Sequence, residues 1–172
     1  MALVAGNTLA GERTGALRRI PTVMVFCLTI WLSLFPNTCR AENAVLRIYD
    51  QKTGAVYVET PAEINSRLYF GWIHSLEQIP WNEYYHIDES HRLVLDAITF
   101  PAFGAGIPAD KGRRCYVKDG LIHMEEIDQV FTELDWLNSH TATREITLDG
   151  VHVVSGNKLP QHTRLRLIIE KR

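Results

Sequence analysis

Arg67-Leu-Tyr-Phe-Gly-Trp-Ile-His-Ser75 is followed by a loop through Pro80 and then by Trp81-Asn-Glu-Tyr-Tyr-His-Ile-Asp88. Both runs are rich in aromatic and β-branched residues and a Pro-containing loop separates them, so they read as a β-hairpin. With residues 76–81 as the loop, Ser75 faces Asn82, His74 faces Glu83, Trp72 faces Tyr85 and Phe70 faces Ile87. Side chains alternate along a strand, so the last three pairs share one face with Leu68. That face is apolar except at one end, where His74 meets Glu83. The other face carries Arg67, Tyr69, Gly71, Ile73, Tyr84, His86 and Asp88 and is more polar. A slip of one residue would mix the two sets, which favours this register.

Outward from the hairpin, short strand-like runs recur about every ten residues with no helical crossover. Residues 44–49 and 55–59 flank an Asp-Gln-Lys-Thr-Gly turn, and residues 93–100 form a third apolar run after the hairpin. Residues 101–112 hold three Gly and two Pro, a composition that excludes helix and central strand. Residues 114–118 and 121–125 flank Asp119-Gly120, and residues 144–148 and 151–154 flank Asp149-Gly150, both two-residue hairpin turns. Residues 127–137 partly fit a helix, but Val130-Phe131-Thr132 favours a strand. Residues 163–170 set Leu165, Leu167 and Ile169 against Arg164, Arg166 and Ile168, as a closing strand would. The pattern predicts an all-β fold: a single antiparallel β-sandwich or barrel-like domain after an N-terminal signal segment.

That segment is residues 1–41. Arg13, Arg18 and Arg19 precede a 14-residue apolar run from Thr22 to Phe35, shorter than the roughly 20 residues of a membrane span. Pro36 ends the run, and Cys39-Arg40-Ala41 puts small residues where cleavage before Glu42 needs them. An uncleaved anchor facing the periplasm is the alternative. The remaining 131 residues, 42–172, suit one domain. They carry 14 Lys and Arg against 19 Asp and Glu, net −5, with no basic stripe for phosphates, so nucleic acid is excluded as a partner. Of three cysteines only Cys115 lies beyond residue 41, which leaves no intrachain disulfide and a half-buried strand thiol as the expectation.

Three clusters could carry function. His74 opposite Glu83, with Tyr85 on the same face, is either a structural ion pair or a histidine oriented by a carboxylate. Ser75 points to the opposite face and no Gly-x-Ser-x-Gly elbow exists, so a serine hydrolase is poorly supported. A metal set of His74, Glu83 and His86 fails on parity, and no cofactor is expected. Gly104-Ala-Gly-Ile-Pro108 can turn backbone N–H groups toward an anion, with Lys111, Arg113 and Arg114 adding positive potential; the plainer reading is a tight turn with a solvated basic end. Tyr69 and Tyr84 mark a contact surface or a cross-strand pair.

The run Trp72-Ile-His74-Ser75, then Glu83-Tyr84-Tyr85, then Gly104-Ala-Gly-Ile-Pro108 resembles the signature of domain-of-unknown-function family 1850: a His-Ser pair, a Glu followed by an aromatic, and a Gly-Ala-Gly-Leu-Pro-like turn. Here Ile107 replaces the usual Leu, and Leu76-Glu77 follows the pair where a small β-branched residue is usual. The resemblance implies a small exported bacterial protein, often encoded beside a tripartite ATP-independent periplasmic (TRAP) transporter of the TAXI-receptor type. It implies context rather than a reaction. The expected function is therefore accessory binding in such a transport system, of a protein or a small solute. The expected partner is the TRAP receptor or permease, or a small organic anion, and the expected location is periplasmic or secreted. The alternative is a periplasmic enzyme acting on a small organic acid with His74 as acid/base. N-terminal sequencing of the exported protein should find a start near Glu42. A full-length product that pellets with membranes in high salt would make the apolar run an anchor.

Overall fold

A computed structural model describes residues 44–106 and 111–172. The expected signal segment and Pro108 lie outside the described residues. Among the described residues, eleven strands form two antiparallel sheets facing each other as a sandwich. The smaller sheet has the order β2-β1-β11-β8 and uses Ala44–Asp50 (β1), Val56–Ala62 (β2), Glu133–Leu137 (β8) and Arg164–Lys171 (β11). The larger has the order β10-β9-β3-β4-β5-β7-β6. It uses Arg67–Ile73 (β3), Pro80–Ile87 (β4), Leu93–Phe100 (β5), Arg114–Lys118 (β6), Leu121–Phe131 (β7), Thr143–Leu148 (β9) and Val151–Ser155 (β10).

The predicted alternation decides which side chains face inward. Leu165, Leu167 and Ile169 of β11 are buried against Leu46 and Ile48 of β1, and Leu68 and Phe70 of β3 close the opposite side. Residues 127–137 are strand: β7 continues to Phe131 and β8 crosses into the other sheet after one residue. Pro61 is tolerated because β2 is an edge strand, where a missing N–H donor breaks no ladder. Cys115 departs from expectation. It lies in a strand but is exposed, because β6 is the outermost strand of the larger sheet.

The central hairpin has the expected faces but a different register. Phe70 pairs with Glu83, Trp72 with Trp81 and Leu68 with Tyr85. The pairing is displaced by an even number of residues, so every side chain keeps its face while its cross-strand neighbour changes. The cause is the turn. The His74 N–H donates to the Ile79 carbonyl and the Gln78 N–H donates to the His74 carbonyl, both at 2.8 Å. This closes a four-residue loop with Gln78 at φ 55°, and Trp81 becomes a strand residue.

Two further devices fix the frame. In β7, Glu126 and Asp128 adopt φ 56° and 55°, and the ladder to β5 skips from Leu95–Gln129 to Ala97–Glu125. Arg113 clamps this wide bulge, reaching Glu126 at 3.0 Å and Asp128 at 2.8 Å. Gly112 is required beside it: at φ +85° a Cβ would lie 2.2 Å from the Glu125 carbonyl oxygen. At the other end, fully buried Asn138 donates its amide to the carbonyls of Gly156, Leu159 and Pro160 at 3.0, 3.3 and 2.9 Å. It thereby holds the turn that carries the chain from β10 back to β11. Asn138→Ala should cost about 2–4 kcal/mol in urea unfolding, since buried carbonyls lose their donor. A loss under roughly 0.5 kcal/mol would show that the turn holds itself.

Candidate functional site: a carboxylate in the inward row of β4

Trp81, Glu83, Tyr85 and Ile87 form the row of β4 that faces the smaller sheet, so alternation alone points a glutamate into the sandwich. Both carboxylate oxygens are engaged. The Trp81 indole Nε1–H donates to Oε1 at 3.1 Å and the Tyr85 hydroxyl to Oε2 at 2.7 Å. Burial pushes the Glu83 pKa above the ordinary glutamate value. The hydrogen bonds from Tyr85, Trp81 and Trp72, and the Lys111 charge, pull against that rise without cancelling it. Tyr85 is pushed above the ordinary tyrosine range, by burial first and then by the adjacent carboxylate. Neutral donors thus hold the acid in place.

Glu83 opens onto a cavity of about 410 Å³ between the sheets. Phe70, Trp72, Tyr85, Phe131 and Trp136 give it aromatic walls, and Lys111 lines it as well. Phe70 and Trp136 meet edge-to-face at 5.2 Å across the sheets, and Tyr85 meets Phe131 the same way at 6.0 Å. The Trp136 Nε1–H is buried with no hydrogen-bond partner among the described residues, a cost carried by a wall of the cavity. Volume and lining fit a small-molecule site, which commonly spans roughly 300–1,000 Å³ with apolar walls and a few polar groups.

His74 does not face Glu83, which is a correction forced by the four-residue loop. Its ring instead caps an aromatic stack, 5.8 Å from Trp72 and 5.7 Å from Trp81 by ring centroids, and Trp81 continues onto Phe100 at 4.9 Å. Its Nδ1 faces the Glu77 N–H at 3.4 Å, as an acceptor would. The enzymatic alternative therefore loses the carboxylate partner it assumed for His74.

The glycine turn does turn an N–H toward an anion, and that anion is Glu77. The Ala105 N–H donates to Glu77 Oε1 at 2.7 Å. A Cβ on Gly104 would lie 2.4 Å from the Glu77 carboxyl carbon, and one on Gly106, at φ +78°, would lie 3.8 Å from the His74 ring. The β3–β4 loop and the glycine turn are thus latched together. Arg113 and Arg114 are engaged elsewhere: Arg113 holds the β7 bulge, and Arg114 reaches Glu125 at 3.2 Å.

The outer face of the larger sheet offers a second concavity of about 640 Å³ beside Tyr69, Tyr84, Asp96, His123 and Glu125. Several of its polar groups are already engaged by neighbouring side chains. His86 pairs with Asp96 at 2.8 Å, the Tyr69 hydroxyl donates to Asn82 at 2.8 Å, and the Tyr116 hydroxyl donates to Glu125 at 2.6 Å. Tyr69 and Tyr84 form a cross-strand pair at 5.4 Å. The inner cavity is the stronger site because its carboxylate has no cation paired to it within 4.0 Å among the described residues.

The sequence reading named Glu83 and Tyr85 on this face, and Lys111 only as positive potential beside the glycine turn; it did not name Trp81, Phe131 or Trp136 as site residues. The Trp-x-Glu-x-Tyr alternation of β4 was the available signal for Trp81; for Phe131 and Trp136 only the packed sheets supply one. The model of the family described as Domain of unknown function (DUF1850) matches residues 68–153, a span containing Glu83, Lys111 and Trp136. No curated protein and no solved structure matches the chain.

Stability should carry the mark of Glu83. Its folded pKa is raised, so its contribution is full below the ordinary value of 4.5 and is lost as pH rises through the folded value. Glu83→Gln keeps an acceptor for Trp81, turns the Tyr85 hydrogen bond round so that the amide N–H donates to the phenol oxygen, and cannot ionise. Urea unfolding from about pH 4 to about pH 8 should show the wild type losing stability relative to the variant as pH rises. A wild type that gains on the variant over that range would mean the site favours the charged form.

Proposed function

The chain belongs to the DUF1850 family, and on that premise we propose that it is an exported accessory binding domain that takes a small solute between its two sheets. One observation carries the reading: Glu83 is held by neutral donors at the wall of an aromatic cavity. A half-buried carboxylate on the inward row, placed there for structural reasons alone, would be expected to meet a cation, because an unpaired desolvated charge is costly. Here its charge is left for something that enters. Most of the site is made by strands, with Lys111 and Ala142 coming from loops, which favours a largely preformed pocket over a site assembled on binding.

The family resemblance supplies the setting, a TRAP transport system with a TAXI receptor, in the periplasm. In that setting the domain would hold its solute beside the receptor or permease. The internal latch from Glu77 to the glycine turn and the engagement of Arg113 and Arg114 argue against placing an organic anion at Gly104 and Gly106. On this reading the Glu83 cavity is the favoured place for binding. Native mass spectrometry of protein taken from its own compartment tests the proposal. Wild type should carry a small-mass adduct, and Glu83→Gln, folded by circular dichroism, should lack it. An adduct retained in full by the variant, or wild type with none and no thermal shift in a metabolite extract, would overturn it.

A further inference from the structure

We infer that the solute is a zwitterion: a free amino acid or close analogue with an apolar side chain, its ammonium on Glu83 and its carboxylate on Lys111. The inference rests on the small-solute reading above and goes further by fixing the chemical class. The cavity holds two groups of opposite charge, Glu83 and Lys111. The lysine charge acts on the glutamate, yet the two form no ion pair within 4.0 Å among the described residues. Opposite charges that line one cavity without pairing leave room between them for a solute carrying both signs.

Solutes of a single charge fit less well. An amine alone would gain from Glu83 and the aromatic walls but would meet the repulsion of Lys111. A carboxylate alone would gain from Lys111 and meet that of Glu83. A zwitterion gains at both ends and leaves the net charge of the cavity unchanged. The third charged group on the wall is already spent: Asp135 takes both arms of Arg166 at 2.7 Å. Between the two anchors, Phe70, Trp72, Phe131 and Trp136 offer rings to an apolar or aromatic side chain. Ring faces near Glu83 also suit an ammonium.

The test uses three probes of one size on the full exported domain: L-phenylalanine, phenethylamine, which lacks the carboxylate, and 3-phenylpropionate, which lacks the ammonium. Calorimetric titration should show L-phenylalanine binding at least about tenfold more tightly than either half-probe, a gap of about 1.4 kcal/mol. Two variants then separate charge from shape. Lys111→Met should weaken L-phenylalanine and strengthen phenethylamine. Glu83→Gln should weaken L-phenylalanine and strengthen 3-phenylpropionate. A merely structural role would weaken all probes together. Phenethylamine binding as tightly as L-phenylalanine, with Lys111→Met indifferent, would overturn the zwitterion and leave a small-solute site for amines. So would a native adduct that proves to be a singly charged solute. Absence of any native adduct together with no binding of any probe would overturn both readings.

Discussion

The candidate site of this domain follows from one placement: a carboxylate in the inward row of a central strand. Parity sets it, since Trp81, Glu83 and Tyr85 share a face and that face looks into the core. An isolated charge there is unfavourable, and the neighbouring side chains respond. Two donors on the same strand hold the oxygens, and Trp72 on the adjacent strand favours the charged form. Burial still wins, and the acid stays shifted toward its neutral state. The space in front of it is lined by rings that cross from one sheet to the other, so the cavity belongs to both layers.

The remaining charges divide by duty. Glu77 holds the glycine turn, Arg113 the β7 bulge, Arg92 is fastened to Asp88 at 2.6 Å, and Arg166 spans Glu133 and Asp135 on the smaller sheet. These exposed or half-exposed pairs fix local geometry more than they add stability. Their importance lies in what they remove from consideration, since a charge already matched is a weak candidate for a ligand. Glu83 and Lys111 differ in that, among the described residues, neither is matched in that way and both line one cavity.

Much of this was legible in the residues. The Asp119-Gly120 and Asp149-Gly150 turns sit where hairpins form, both with positive φ. The alternation of Leu165, Leu167 and Ile169 gave the inner face of the closing strand. The hairpin faces were right and its pairing was not, for a physical reason. Hydrophobic patterning is blind to an even displacement, and only the turn can choose among the even registers. Here the His74–Ile79 closure made that choice, drawing Trp81 into the ladder and His74 away from Glu83. The cavity was less legible still. Lys111 lies in an irregular stretch, Phe131 reaches Tyr85 across β5, and Trp136 meets the hairpin only because β8 crosses into the opposite sheet. No periodicity within a strand encodes such a contact. Cys115 makes the same point from the edge: a strand pattern says which side a residue faces, not whether another strand lies beyond it.

The most direct measurement is the titration of the Glu83 carboxyl itself, followed by carbon-13 NMR and assigned by its loss in Glu83→Gln. The expected midpoint lies above the ordinary glutamate value of 4.5 in the free protein, and a bound L-phenylalanine should bring it down, since an ammonium partner favours the ionised form. A midpoint at or below 4.5 in the free protein, unmoved by any solute, would contradict a desolvated carboxylate waiting for a partner.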